Sequence, residues 1–196
     1  PQPMSKGPGF LGAYEALYKD IVEYHPNHKV ESVDFEKKRI VHSFGELPYD
    51  AANIIPPMQG APIVREAGLG ERWAEVNAAD FTAKVDPHIY LVGDVIGGQP
   101  FPKSGFMANA LGKVVALHVA ARLDGKEQFP LVPANVCYSM VDGDQGGRSI
   151  WVSNSFTWNP TEKKYEVVMK TDLVPSRENA ETSLRWADAM WKEMLG

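Results

Sequence analysis

Between residues 10 and 24 the positions Leu11, Tyr14, Leu17, Tyr18, Ile21 and Tyr24 recur at three- and four-residue intervals. That spacing keeps one helical face apolar, so a helix is predicted over 10–24, stopped by Pro26 and Asn27. Two short apolar-rich strands are predicted over 28–36 and 38–46, with a turn near Gly45. Residues 51–55 read as a third, buried strand before Pro56 and Pro57. The Pro-, Gly- and Ala-rich stretch 56–76 reads as a crossover with a short helix at 61–68. The run His88–Val95 is too apolar for a half-exposed strand and predicts a central strand of a parallel sheet. A Gly/Pro loop follows it, and then a helix from Ser104 to Leu123. Further on, 137–141, 148–159 and 164–170 predict a mixed sheet with a hairpin turn at Asn159–Glu162. Ser176 is a natural N-cap for a closing helix whose stripe is Leu184, Ala187, Met190, Trp191 and Met194.

Composition narrows the function classes. A chain of 196 residues with 44% hydrophobic content can bury one sizeable core or two small ones. Its net charge of -5, with no long Lys or Arg run, argues against a nucleic-acid partner. No apolar stretch reaches the roughly 20 residues of a membrane span, so no transmembrane segment is expected. The Pro1–Met4 start resembles neither an initiator nor a signal peptide and reads as cut. The single Cys137 rules out a disulfide within this sequence and a multi-cysteine zinc site. His25 and His28 flank Pro26 in a loop with no third ligand nearby in sequence, so no metal is expected there.

Two glycine-bearing segments are candidates for cofactor chemistry. Gly7, Gly9 and Gly12 satisfy the G-x-G-x-x-G pattern, but the pattern needs a strand immediately before it, and Pro8 sits inside the turn. An ordinary glycine-rich loop is the better reading. The second segment runs from His88 to Leu123: a strand ending in Gly93–Asp94, a loop, then a helix that opens on small residues. Gly93 would let a cofactor backbone approach, and the Asp94 carboxylate can accept a hydrogen bond from a sugar-like hydroxyl. The helix start offers N–H groups and a positive dipole end to an electron-rich ring edge. The plainer alternative is that Asp94 caps a turn and Gly105, Asn109 and Gly112 serve helix packing.

The segment Pro102, Lys103, Ser104, Gly105, Phe106, followed by Ala108, Asn109, Gly112 and Lys113, resembles the flavin-contact motif of the two-dinucleotide-domain flavoproteins. It is most similar to the flavocytochrome c sulfide dehydrogenase branch. Residues 53–57 (NIIPP), 131–141 (LVPANVCYSMV) and the C-terminal tail resemble that family in order and spacing, and the similarity runs from residue 10 to Gly196. The resemblance implies FAD beneath a redox-active disulfide whose later cysteine is Cys137, with Trp186 near the flavin ring and Trp191 as the second candidate. It further implies cofactor contacts from Gly93, Asp94, Lys103, Ser104, Gly105 and Phe106. In the complete protein, hydrosulfide would attack the disulfide, and electrons would leave through FAD to a c-type cytochrome subunit in the periplasm.

The expected fold is therefore α/β plus α+β, in three parts: 1–75 as the C-terminal part of a pyridine-nucleotide-like Rossmann domain, 76–130 as the C-terminal part of an FAD-binding domain, and 131–196 as an interface domain with a mixed sheet and closing helix. The pyrophosphate-binding N-terminal unit and the other cysteine are absent from this sequence, so the isolated chain is expected to be inactive and not to hold FAD tightly. Open strand edges suggest a homodimer. Two other readings compete. A sulfide:quinone reductase-like flavoprotein is expected to carry an apolar anchor, whereas the last helix has Arg185, Asp188, Lys192 and Glu193. A non-catalytic docking module would leave Cys137 unreactive.

Overall fold

The computed structural model describes residues 5–126, 133–143 and 147–196. The Pro1–Met4 start and the expected domain boundary at 130/131 lie outside them. The architecture is α+β with three small sheets, in two compact units that meet in sequence at Pro57 and Met58. No doubly wound parallel sheet occurs among the described residues.

In the first unit, α1 (Gly7–Leu17) begins at the glycine-rich stretch itself. Pro8 occupies the first turn, where a missing N–H costs nothing, so Gly7, Gly9 and Gly12 are helical residues and not a nucleotide-binding turn. The helix closes at Tyr18, seven residues short of the proline expected to stop it, and Ile21 and Tyr24 are left exposed. An antiparallel meander follows: β1 (Val30–Asp34), β2 (Arg39–His42) and β3 (Gly45–Pro48). Residues 51–55 are not the expected strand. They are exposed irregular chain, with Ile55 79% accessible, because no described residue offers them a ladder partner.

The second unit opens with α2 (Pro62–Glu66) and β4 (Ala74–Glu75). The run His88–Val95 is likewise not a long central strand. It makes one bridge, Thr82 to Tyr90, passes through a single 3-10 turn at Gly93–Val95, and pairs in parallel with β4 only at β5 (Ile96–Gly97). Its apolar side chains serve a loop-built core, with Leu91, Val92 and Val95 packing against the cluster around Phe81. Helix α3 (Gly105–Leu123) lies where the helix was expected, with Ser104 as its N-cap, and buries Met107, Leu111, Val114 and His118, one row of one face. By length and composition alone it also meets the minimum for a membrane span.

The last sheet is wholly antiparallel and not mixed, in the order β6 (Ala134–Asp142), β7 (Arg148–Asn159), β8 (Lys164–Ser176). The β7–β8 turn falls where expected. Asn159 Oδ1 accepts from the N–H groups of Thr161 and Glu162 at 3.0 and 3.1 Å, and Lys163 takes the left-handed conformation at φ 51°. Closing helix α4 (Arg177–Leu195) is capped by Ser176, whose hydroxyl accepts from the Asn179 N–H. Its inward face differs from the expected stripe: Ala180 is buried and Trp186 half-buried, whereas Leu184, Trp191 and Met194 are exposed. Of the expected stripe, Ala187 and Met190 are half-buried.

The core joins α3 to β7 and β8. Phe101 stands between Phe156 (4.9 Å, edge-on) and Tyr165 (5.0 Å), and Phe81 and Phe156 are fully buried. Burial of such a ring is worth about 3 kcal/mol, so these aromatics dominate the unit's stability. Tyr165 is the weak member. Its side chain is 4% exposed, its hydroxyl has no hydrogen-bond partner among the described residues, and burial pushes its pKa up from 10.0 to about 12.

Because the folded protein holds that proton more tightly than the unfolded chain, stability is full below pH 10 and falls as the pH rises from 10 toward 12. Tyr165→Phe should remove this alkaline loss and raise stability at neutral pH by about 1 kcal/mol, in urea denaturation compared at pH 7 and pH 11.

Candidate functional site

The expected site residues lie on three elements of the second unit: the segment 93–104, the start of α3, and β6 with α4. Gly93 has φ 73°, which favours glycine, and a Cβ there would sit 3.2 Å from the Ala108 Cβ. The turn therefore presses directly on α3. The carboxylate of Asp94 points outward, exposed and without a hydrogen bond among the described residues.

Lys103, an exposed residue, folds its ammonium back over the turn. Its ammonium donates to the carbonyl oxygens of Asp94 (2.6 Å) and Ile96 (2.7 Å) and lies 3.8 Å from the centroid of the Trp73 ring. Burial lowers its pKa, and the Asp94 charge partly offsets that. The lysine thus staples the 93–97 turn to the loop that carries Trp73.

Ser104 performs two tasks at once. Its hydroxyl accepts from the Met107 N–H (3.1 Å) and donates to Asn135 Oδ1 (2.8 Å). Asn135, 3% exposed, in turn donates to Asn154 Oδ1 at 3.3 Å. This chain of polar groups ties the α3 cap to β6 and β7. Strand side chains alternate, so Cys137, two residues after Asn135, stands on the same face of β6. Cys137 is a half-buried thiol opposite Val152.

Gly105 and Phe106 open the helix, and their N–H groups make no hydrogen bond among the described residues. The Phe106 ring meets Trp186 at 5.8 Å, and Trp186 meets Tyr138 at 6.0 Å. Trp186 therefore joins α4, α3 and β6, and its buried Nε1–H has no partner among the described residues. Asn109 reaches Met190 Sδ at 3.8 Å and Lys113 pairs with Glu193, whose pKa this contact lowers, so α3 and α4 run side by side. Trp191 is 61% exposed and away from this cluster.

Space is distributed unevenly. The gap lined by Gly93, Asp94, Lys103, Met107 and Ala108 holds about 10 Å³, room for roughly one water. An open cleft of about 350 Å³ lies alongside, lined by Glu71, Arg72, Trp73, Glu75, Lys84 and Gly97. Sequence reasoning missed this cleft. Its signals were Gly70 at φ 153° and Gly97, where a Cβ would stand 2.5 Å from Trp73, both forced by the close passage of the two loops. Also missed, in the first unit, was a third imidazole beside the 25/28 pair. His28 lies 5.0 Å from His25 and 4.6 Å from His42 between ring centroids, yet no described group of three His, Cys, Asp or Glu side chains has the arrangement of a metal site.

The arrangement can present a hydrogen-bond acceptor (Asp94), two free amides at a positive helix end (Gly105, Phe106) and a thiol strand fixed to the same cap. No family model matches the chain.

Ser104→Ala removes the cap and leaves Asn135 Oδ1 buried without its donor, a loss of about 2 kcal/mol by chemical denaturation, whereas Ser104→Thr should lose less than half of that.

Proposed function

We propose that this chain is the C-terminal part of a flavin-dependent sulfide dehydrogenase of the flavocytochrome c type. On this reading, residues 1–75 belong to a pyridine-nucleotide-like domain, 76–130 to an FAD-binding domain and 131–196 to an interface domain. The complete enzyme would work in the periplasm with a c-type cytochrome. The observation that carries the reading is the hydrogen bond from Ser104 to Asn135, which joins the Pro102–Phe106 helix start to the strand bearing Cys137.

The residues fit one edge of a flavin. Asp94 can accept from a hydroxyl of the ribityl chain, and the amides of Gly105 and Phe106 can donate to the pyrimidine edge, favoured by the helix dipole. The 10 Å³ gap behind them encloses nothing larger than water, so these groups would grip a ring lying outside the turn. A bound flavin supplies two-electron acceptance and one-electron release. The chain's own contribution is to orient and to exclude: Trp186, Phe106 and Tyr138 form an apolar wall, and the α3 dipole favours negative charge beside it. Cys137 would be the later cysteine of the redox pair that hydrosulfide attacks, and a thiolate released there would pass electrons to the flavin. A disulfide requires a second cysteine that this sequence does not contain.

A docking role is supported by a separate observation, the exposed Leu184, Trp191, Met194 and Leu195 on α4. In the complete enzyme the two roles are compatible, since a cytochrome must approach closely.

With one edge of the site present, the purified chain should show no stoichiometric flavin absorbance between about 350 and 500 nm. Added FAD at about 1 mM, the range of weak binding, should slow alkylation of Cys137 by iodoacetamide several-fold, and Asp94→Ala should cancel the protection. An alkylation rate indifferent to FAD would sink this reading.

A further inference from the structure

In the β6–β7–β8 sheet, β6 and β8 are the outer strands, and α3 and α4 both pack against β6. The β8 edge is open: no described strand pairs with its outer side, although the strand runs 13 residues. Edges are protected by prolines, bulges, inward-pointing charges or edge lysines. From Lys164 to Thr171, β8 has no proline and no bulge, since its pairing with β7 is regular there and Pro175 lies at the far end, and Lys164 and Lys170 alternate with acidic residues.

The side chains along this open stretch divide by face. Tyr165, Val167 and Met169 lie on the core side, as Tyr165 is buried in the aromatic cluster and Val167 pairs with Phe156. Yet Val167 is 42% and Met169 54% exposed, so the apolar face continues beyond its cover. On the other side stand Lys164, Glu166, Val168, Lys170 and Asp172, with charges that alternate about Val168.

We infer that β8 pairs antiparallel with β8 of a second copy of this chain, about a two-fold axis at Val168. That register places Glu166 opposite the partner's Lys170 and Lys164 opposite the partner's Asp172, each contact occurring twice. It also places Val167 against the partner's Met169 on the core side. Registers centred one residue away fail on charge: a centre at 167 opposes Lys164 with Lys170, and a centre at 169 opposes Glu166 with Asp172. Within the chain, Glu166 accepts from Asn159 at 2.7 Å, Lys164 pairs with Glu162, and Asp172 accepts from Asn179 at 2.8 Å. Lys170 makes no ion pair among the described residues. A two-fold pairing of β8 with β8 uses this edge of both copies at once and makes a dimer with one continuous six-stranded sheet.

The test is sedimentation equilibrium of the whole chain, with charge reversal as the probe of register. Wild type should weigh twice 21.7 kDa. Glu166→Lys and Lys170→Glu each replace two attractive cross-strand pairs by two repulsive ones, and each should raise the dimer Kd by about ten-fold or more. The double variant Glu166→Lys/Lys170→Glu restores opposite charges and should return the Kd to within about three-fold of wild type. Circular dichroism of each variant, unchanged from wild type, separates lost pairing from lost folding. A monomer at about 100 µM, a dimer indifferent to both single reversals, or a double variant no better than the singles would each overturn the inference.

Discussion

The hydrogen bond from Ser104 to Asn135 is the joint on which the second unit depends. Remove it in thought and α3 loses its cap, Asn135 becomes a buried amide with an unmet acceptor, and the helix start is no longer fixed against β6. Each consequence costs about 1–2 kcal/mol, and they fall on the same few atoms. A hydroxyl that accepts from its own helix and donates across to a strand fixes both partners in register. Thus the position of Cys137 relative to the helix end follows from the local sequence S-G-F on one side and N-V-C on the other.

Around that joint the turn 93–103 is held by contacts that leave no slack. The Lys103 ammonium bridges two carbonyl oxygens and rests on Trp73, and Gly93 lets the turn touch Ala108. A lysine expected to face a cofactor is therefore a structural group, partly desolvated, and the electrostatic character of the site comes from the α3 dipole and the exposed Asp94. The aromatic trio Phe106, Trp186 and Tyr138 closes the other side. Functional geometry and folding stability thus draw on the same residues.

What was legible in the sequence was what is decided locally. Ser176 caps its helix because a hydroxyl three residues before a free N–H needs no distant partner. Asn159 turns the β7–β8 hairpin for the same reason. The failures concern partners far away in sequence. Residues 51–55 and 88–95 are apolar enough for buried strands, but a strand is defined by its ladder, and the described chain supplies none for the first and a single bridge at Tyr90 for the second. The α4 stripe was misplaced because helical periodicity gives a face and not what the face touches; Trp186, off the expected stripe, became the contact instead. Of the site residues, Ser104, Gly105, Phe106 and Trp186 come together. Lys103 is turned away, and the cleft beside Trp73 had no motif to announce it.

Native-state hydrogen exchange by NMR tests the joint most directly. If the Ser104 hydroxyl caps α3 and holds Asn135, the Met107 amide and the Asn135 side-chain NH2 should exchange as slowly as the β6–β7 ladder amides, and both should open with the same free energy. Exchange of either group at the rate of exposed loop amides, while the ladder remains protected, would contradict a shared joint between helix and strand.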